Sequence, residues 1–241
     1  MQPEQKKKTS PWVYVGCGCG LLLAVGVIAG VSLYIFGSRQ LEKFEADMAN
    51  PVVRNEQARK MLGAQTLPEG YSSEMVLSVP MVIDTAVLTT QREDVPANLQ
   101  QGELRNFLYM HLKPATLNDV EELTAYLEGR SDDASVLARN NIHVQAKEII
   151  SRGVLQLDGR RLLYLTQRGT LSSNQYESQG PGLNAIVLFD CPGQPTIRMG
   201  MWTAPDPAPQ TPLKQLDTKG TPVDADAVRA FMSHFNPCLE K

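Results

Sequence analysis

The chain has 241 residues, of which 42% are hydrophobic and 20% charged, with a formal net charge of −3. This supplies enough apolar material for a core and too little charge for global disorder. Outside a short basic tail, residues 38–241 carry 20 basic and 25 acidic side chains, a balance that excludes an electrostatic footprint for nucleic acid.

The tail, residues 1–11, holds Lys6, Lys7 and Lys8 against Glu4. Residues 12–36 follow as 25 consecutive positions without a charge. A bilayer core of about 30 Å needs roughly 20 such residues in a helix, so this run predicts a transmembrane span. Lysines are held on the cytoplasmic side, which predicts an N-terminus inside and the remaining chain outside. Trp12, Tyr14 and Tyr34 stand where an aromatic belt falls. A cleaved signal peptide would have an apolar core of roughly 7–15 residues followed by small residues, and this run is longer without a clean site after Phe36. A lipoprotein signal at Cys17 would leave only residues 12–16 as apolar lead-in. Gly16 with Gly20, and Gly26 with Gly30, form two G-x-x-x-G pairs within a sector of about 120°. Such a stripe suits self-association or a partner helix, although glycine is also common in membrane helices generally. Cys17 and Cys19 read as small packing residues or as acylation sites.

Residues 37–63 read as a helical linker. Asn50-Pro51 supplies an N-cap and a first-turn proline for a short helix over 52–62, ending at Gly63, where the domain boundary is placed. Residues 64–241 then read as an extracytoplasmic domain. Strands are expected at 73–79 and 81–90, separated by Pro80, and at 106–113. A helix is expected over 117–128, with Leu117, Val120, Leu123 and Leu127 on its buried face, and a shorter one within 131–141. Asp158-Gly159 between two β-prone runs, 143–157 and 160–168, is the strongest hairpin signal. Residues 171–181 read as an exposed polar loop. A second hairpin, 184–190 with 196–203, turns around residues 191–194. The five prolines within 204–222 predict a semi-rigid surface loop. Asp224 caps a last helix over 225–235 whose Val228, Phe231, Met232 and Phe235 share one face. The order of elements predicts an α+β domain with a mostly antiparallel sheet and packed helices, behind one N-terminal transmembrane helix.

In element order this domain resembles the PsbP-like fold, an antiparallel sheet between helices. The similar parts are the opening hairpin over 74–90, the middle hairpin across Asp158-Gly159, and the closing helix over 224–235 after a strand. The resemblance implies a binding or assembly module.

Metal, nucleotide and hydrolase motifs are lacking: H-E-x-x-H, C-x-x-C, Walker and G-x-S-x-G patterns do not occur. No cofactor, metal ligand or catalytic residue is expected. His111, His143 and His234 have no second ligand at metal spacing on their own elements. Glu121-Glu122 and Asp132-Asp133 read as solvated faces, and Arg160-Arg161 as charges protecting a sheet edge. Cys191 and Cys238, in an oxidising compartment, are candidates for a disulfide between the second hairpin turn and the chain end, two free thiols being the alternative. These features predict a single-pass inner-membrane protein with a periplasmic or extracellular binding module, in an envelope complex with a protein partner. The lack of an N-x-[ST] acceptor suggests a bacterial source. A small-ligand or lipid carrier and an envelope enzyme with dispersed residues are the other two readings.

Overall fold

A computed structural model of the chain describes residues 48–90, 105–112, 120–139, 142–173, 176–177, 182–194 and 196–239. The basic tail, the uncharged run 12–36 and its glycines Gly16, Gly20, Gly26 and Gly30 lie outside these residues. Among the described residues no helix is long and apolar enough to cross a membrane. The chain divides into a unit ending at Ala49 and a second unit from Asn50 to Lys241, and the fold below is that of the second.

Among the described residues eight strands pair antiparallel in one sheet: β1 (Tyr71–Val79), β2 (Ile83–Thr90), β3 (Asn106–Leu112), β4 (Ile142–Leu157), β5 (Arg160–Ser173), β6 (Tyr176–Glu177), β7 (Gly182–Asp190) and β8 (Ile197–Pro205). Their order is β1-β2-β3-β8-β7-β5-β4, with β6 beside β5. Strands β7 and β8 are central and buried on both faces, which is why they read as nearly continuous apolar runs rather than alternating ones.

One face carries Leu108, Met201, Ile186 and Leu165 in register across four strands. Two short helices, α2 (Val120–Leu127) and α3 (Ser135–Arg139), close this face with Leu123, Tyr126, Leu127, Val136 and Leu137. The other face carries Phe107 and Trp202, paired in register. It is closed by α1 (Pro51–Met61) and α4 (Ala225–Met232). Phe231 stacks on Trp202 at 4.4 Å between centroids, and Phe235 on Phe107 at 4.8 Å. Full burial of each such side chain contributes about 1.5–3 kcal/mol.

The stack is tight at Gly200. A Cβ there would lie 2.6 and 2.8 Å from Phe107 ring carbons. Gly200→Ala is therefore expected to destabilise the domain by about 1–3 kcal/mol, read as a lower urea midpoint. An unchanged midpoint would mean that the ring has room to move aside.

Asp224 caps α4. One carboxylate oxygen accepts from the Asp226 N–H at 3.0 Å and the other from the Gly220 N–H at 2.9 Å. The Gly220 bond, followed by those to the helix N-terminus, holds the Asp224 pKa below the usual carboxylate range. A depressed pKa contributes stability that is present above the unfolded value, near ~4, and is lost as pH falls through the folded value. Asp224→Ala should cost about 1 kcal/mol near neutral pH. The gap between variant and parent should narrow in acid, and a gap constant down to strong acid would remove the charge from the account.

The α+β class and the antiparallel sheet with packed helices are as the sequence predicts. Several local readings differ, and the last helix ends at Met232 rather than at residue 235. The helix α1 belongs to the folded unit, which begins at Asn50 rather than near Gly63. It is held there by Arg54 Nε donating to the Ser73 carbonyl and by the Asn55 side-chain oxygen accepting from the Ser73 N–H. In α2, Val120 is exposed and Tyr126 is buried instead, because Arg152 of β4 lies over the Tyr126 ring at 5.0 Å. Part of the expected loop 171–181 is strand: β5 runs to Ser173 and pairs with β6. Arg160 and Arg161 sit on an inner strand, so they protect no edge. Arg161 pairs with Glu128 and with Asp190 at 2.7 Å, and Arg160 donates to the Phe235 carbonyl. The residues 113–119 expected to begin the α2 helix lie outside the described ones.

Candidate functional site

Cys191 and Cys238 are joined by a disulfide, with their Cα atoms 5.3 Å apart. The bond ties the β7–β8 turn to the chain end after α4, and the Gln194 amide donates to the Cys238 carbonyl at 3.4 Å beside it. This is a staple rather than a reactive thiol.

Beside Cys238 lies a cleft of about 460 Å³, lined by Gly63, Gln65, Thr66, Asp158, Arg160, Ser233, His234, Asn236 and Leu239. Its cation is already engaged: Arg160 donates to the Leu157 and Phe235 carbonyls and to Asp158. His234 is exposed at its rim.

The second histidine, His111, stands on β3 in a polar group on the α1/α4 face. Its Nδ1 lies 3.2 Å from Asp84 Oδ2, and the Ser78 hydroxyl donates to Asp84 Oδ1 at 2.5 Å. The carboxylate therefore stands between the hydroxyl and the imidazole. A nucleophilic relay needs the imidazole in the middle, where it can take the hydroxyl proton. On the neighbouring strand Arg198 is fully buried and donates to Thr196 Oγ1 at 2.8 Å. Burial pushes the Tyr109 pKa well above its ordinary value, against the opposing influence of Arg198. Tyr109 is thus a neutral phenol, and the group as a whole, half-buried at Asp84 and His111 and exposed at Ser78, reads as a structural network. The side chain of His143 lies outside the described residues.

A different pattern crosses the α2/α3 face. Thr89, Asn106, Thr203, Asn184 and Gln167 stand opposite one another on five adjacent strands. This neutral polar row abuts the apolar one. The Thr89 hydroxyl donates to the Asn106 side chain, and Asn184 Nδ2 donates to the Gly169 carbonyl at 3.0 Å. Asn184 Oδ1 and both polar atoms of the Gln167 amide are buried without a hydrogen-bond partner. Such groups cost roughly 1–3 kcal/mol each, so a fold that keeps them side by side has a reason to. No sequence signal reveals the row, because each member lies in a separate strand.

Among the described residues no group of three or more His, Cys, Asp or Glu could hold a metal ion. No family model and no curated protein matches the chain. The site must therefore be read from its own chemistry.

Among the described residues the most outward apolar feature is the tip of the β1–β2 hairpin. Val79, Pro80, Met81 and Val82 are exposed in succession, Met81 at 84%. The Val82 N–H donates to the Val79 carbonyl at 3.1 Å and closes a turn with Pro80 and Met81 at its centre. Met81 has φ +63°, as position i+2 of a type II turn requires. The sequence signals a bend here through Pro80 but places Met81 in a strand. The structure puts it at the apex instead.

Proposed function

We propose that the chain is a membrane-anchored extracytoplasmic binding or assembly module of a bacterial envelope complex. The run 12–36 is the anchor, with its N-terminus inside, and the glycine stripe Gly16, Gly20, Gly26 and Gly30 is a helix-packing face. The observation that carries the reading is how the domain uses its reactive side chains. His111 and Asp84 face each other, Arg168 is closed on Asp206, and Arg160 and Arg161 tie the inner strand β5 to the chain just after α4 and to the end of α2. Groups committed to the fold leave contact, rather than catalysis, as the work of the surface. The sheet lies between two helix layers, the layering that the PsbP-like resemblance implies, and that family mainly supplies binding or assembly modules.

The test is crosslinking in the native membrane, extraction in gentle detergent and mass analysis of what co-purifies. A defined partner at fixed stoichiometry is expected. A bare monomer after crosslinking would overturn the assembly reading. A second reading, a small-ligand protein, is favoured by the unpartnered amides of Gln167 and Asn184. Native mass spectrometry of the purified chain separates the two: a bound small molecule lost in Gln167→Met would favour the ligand.

A further inference from the structure

The two tight hairpins of this domain are built on opposite terms. The β4–β5 turn uses Asp158 at φ +47° and Gly159 at φ +78°, the residues and conformation that match strand twist. The β1–β2 turn uses Pro80 and Met81. The β1–β2 pairing closes at Val79 opposite Ile83, which leaves a three-residue loop, and the i+2 position of its type II turn favours glycine or asparagine. Met81 there bears a strained backbone and, at 84% exposure, holds an apolar side chain in water. Val79 at 37% and Val82 at 45% flank it, so the display is a cluster and not a lone residue. Folding alone would favour glycine or asparagine at residue 81. The strain and the exposure together mark a tip kept for contact.

We infer that this tip docks on a lipid surface, namely the membrane that anchors the chain; the inference rests on the anchor proposed above. Three observations select lipid. First, no charge lies between Ser78 and Asp84, and the Asp84 carboxylate is turned to Ser78 and His111 rather than presented. Second, a long unbranched methionine between proline and two valines suits a fluid phase, with no pocket to fit and no polar rim to align. Third, the tether is short. Residues 37–49 separate the uncharged run from the folded unit, a reach of roughly 20 Å as a helix and about 45 Å fully extended. The first helix of that unit, α1, is bonded through Arg54 and Asn55 to Ser73 of β1, the strand that carries the tip. The tip stands at the other end of that strand from Ser73, roughly 20 Å along β1, so a tether of this length keeps the domain that bears it close to the membrane. Seating it in the interface fixes the domain at a second point and sets its orientation on the membrane.

The experiment uses the full chain in phosphatidylcholine vesicles, with Cys17→Ser and Cys19→Ser. An environment-sensitive fluorophore is attached at Met81→Cys or, as control, at Ala230→Cys on α4, the native Cys191–Cys238 pair being closed. Carbonate extraction reads the anchor, and quenching by shallow doxyl-labelled lipid reads the tip. The expected result is a carbonate-resistant chain in which the label at residue 81 emits to the blue and is quenched roughly twofold, while that at residue 230 is not. A carbonate-resistant chain whose label at residue 81 behaves like that at residue 230 overturns the tip inference and leaves the anchor standing. Shielding from aqueous iodide without lipid quenching overturns it in favour of a second copy of the chain. A chain released by carbonate overturns the anchor and, with it, this inference. Met81→Gly separates the tip from the fold: it relieves the backbone, so the melting midpoint should hold or rise, while lipid quenching of a label at Val82→Cys falls. Unchanged quenching in that variant would also overturn the inference.

Discussion

Arg168→Met is expected to cost the domain about 3–5 kcal/mol, the loss that follows when one partner of a buried ion pair is removed. The Arg168 side chain is 4% exposed and that of Asp206 is 0% exposed. Arg168 Nε donates to Asp206 at 2.5 Å, and its two terminal nitrogens donate to the Thr211 carbonyl at 2.6 Å and to the Ala208 carbonyl at 2.5 Å. Asp206 accepts in addition from the Ala208 N–H at 3.0 Å. Every part of the guanidinium is thus bonded to one short proline-rich stretch, which it fastens against β5. With methionine in its place, the Asp206 carboxylate is left buried and unpaired. Chemical denaturation reads the loss, and limited proteolysis should show new cleavage within residues 206–212. Arg168→Met with Asp206→Asn should recover part of the loss, because the uncompensated charge is gone. A single variant with the parent's midpoint would show that the loop does not depend on this pair.

Reduction of Cys191–Cys238 is the second large effect. The cysteines are 47 residues apart in sequence. Closing a loop of that length removes about 4 kcal/mol of unfolded-state entropy on the chain-entropy argument. The span runs through β8, the proline-rich loop and α4. Its opening should therefore release the end of the chain that carries Phe235 against Phe107. Cys238→Ser, or the parent in reductant, should melt well below the oxidised chain. If the oxidised chain labels at both thiols and melts where the reduced one does, the staple does not exist in solution.

What was legible in the sequence was local. Asp158-Gly159 marked its hairpin because the turn's positive φ angles need those residue types. The α4 face was readable because Val228, Phe231, Met232 and Phe235 recur at helical spacing. The α2 face was misread at Val120 because Tyr126 is recruited by Arg152, a residue of a later strand, and spacing within one helix does not carry that information. Arg168 and Asp206 are 38 residues apart, and nothing local to either announces the other. Of the candidate site, Pro80 announced a turn. The left-handed backbone of Met81 was hidden because the position that adopts it ordinarily carries glycine or asparagine.

The neutral row from Thr89 to Gln167 has one more consequence, for how the strands find their alignment. A slip of two residues leaves every side chain on its own face, so alternation of apolar and polar positions does not forbid it. The row does. Shifted by two, β7 would set Asn184 beside Met201 or Pro205 of β8 instead of Thr203, and Ile186 would lose its place opposite Met201. The same penalty recurs at each of the four junctions the row crosses. Five uncharged residues, one per strand, thus serve the assembling sheet as graduation marks: they match at a single setting, and a chain closing on the wrong notch meets amide against hydrocarbon along the whole width.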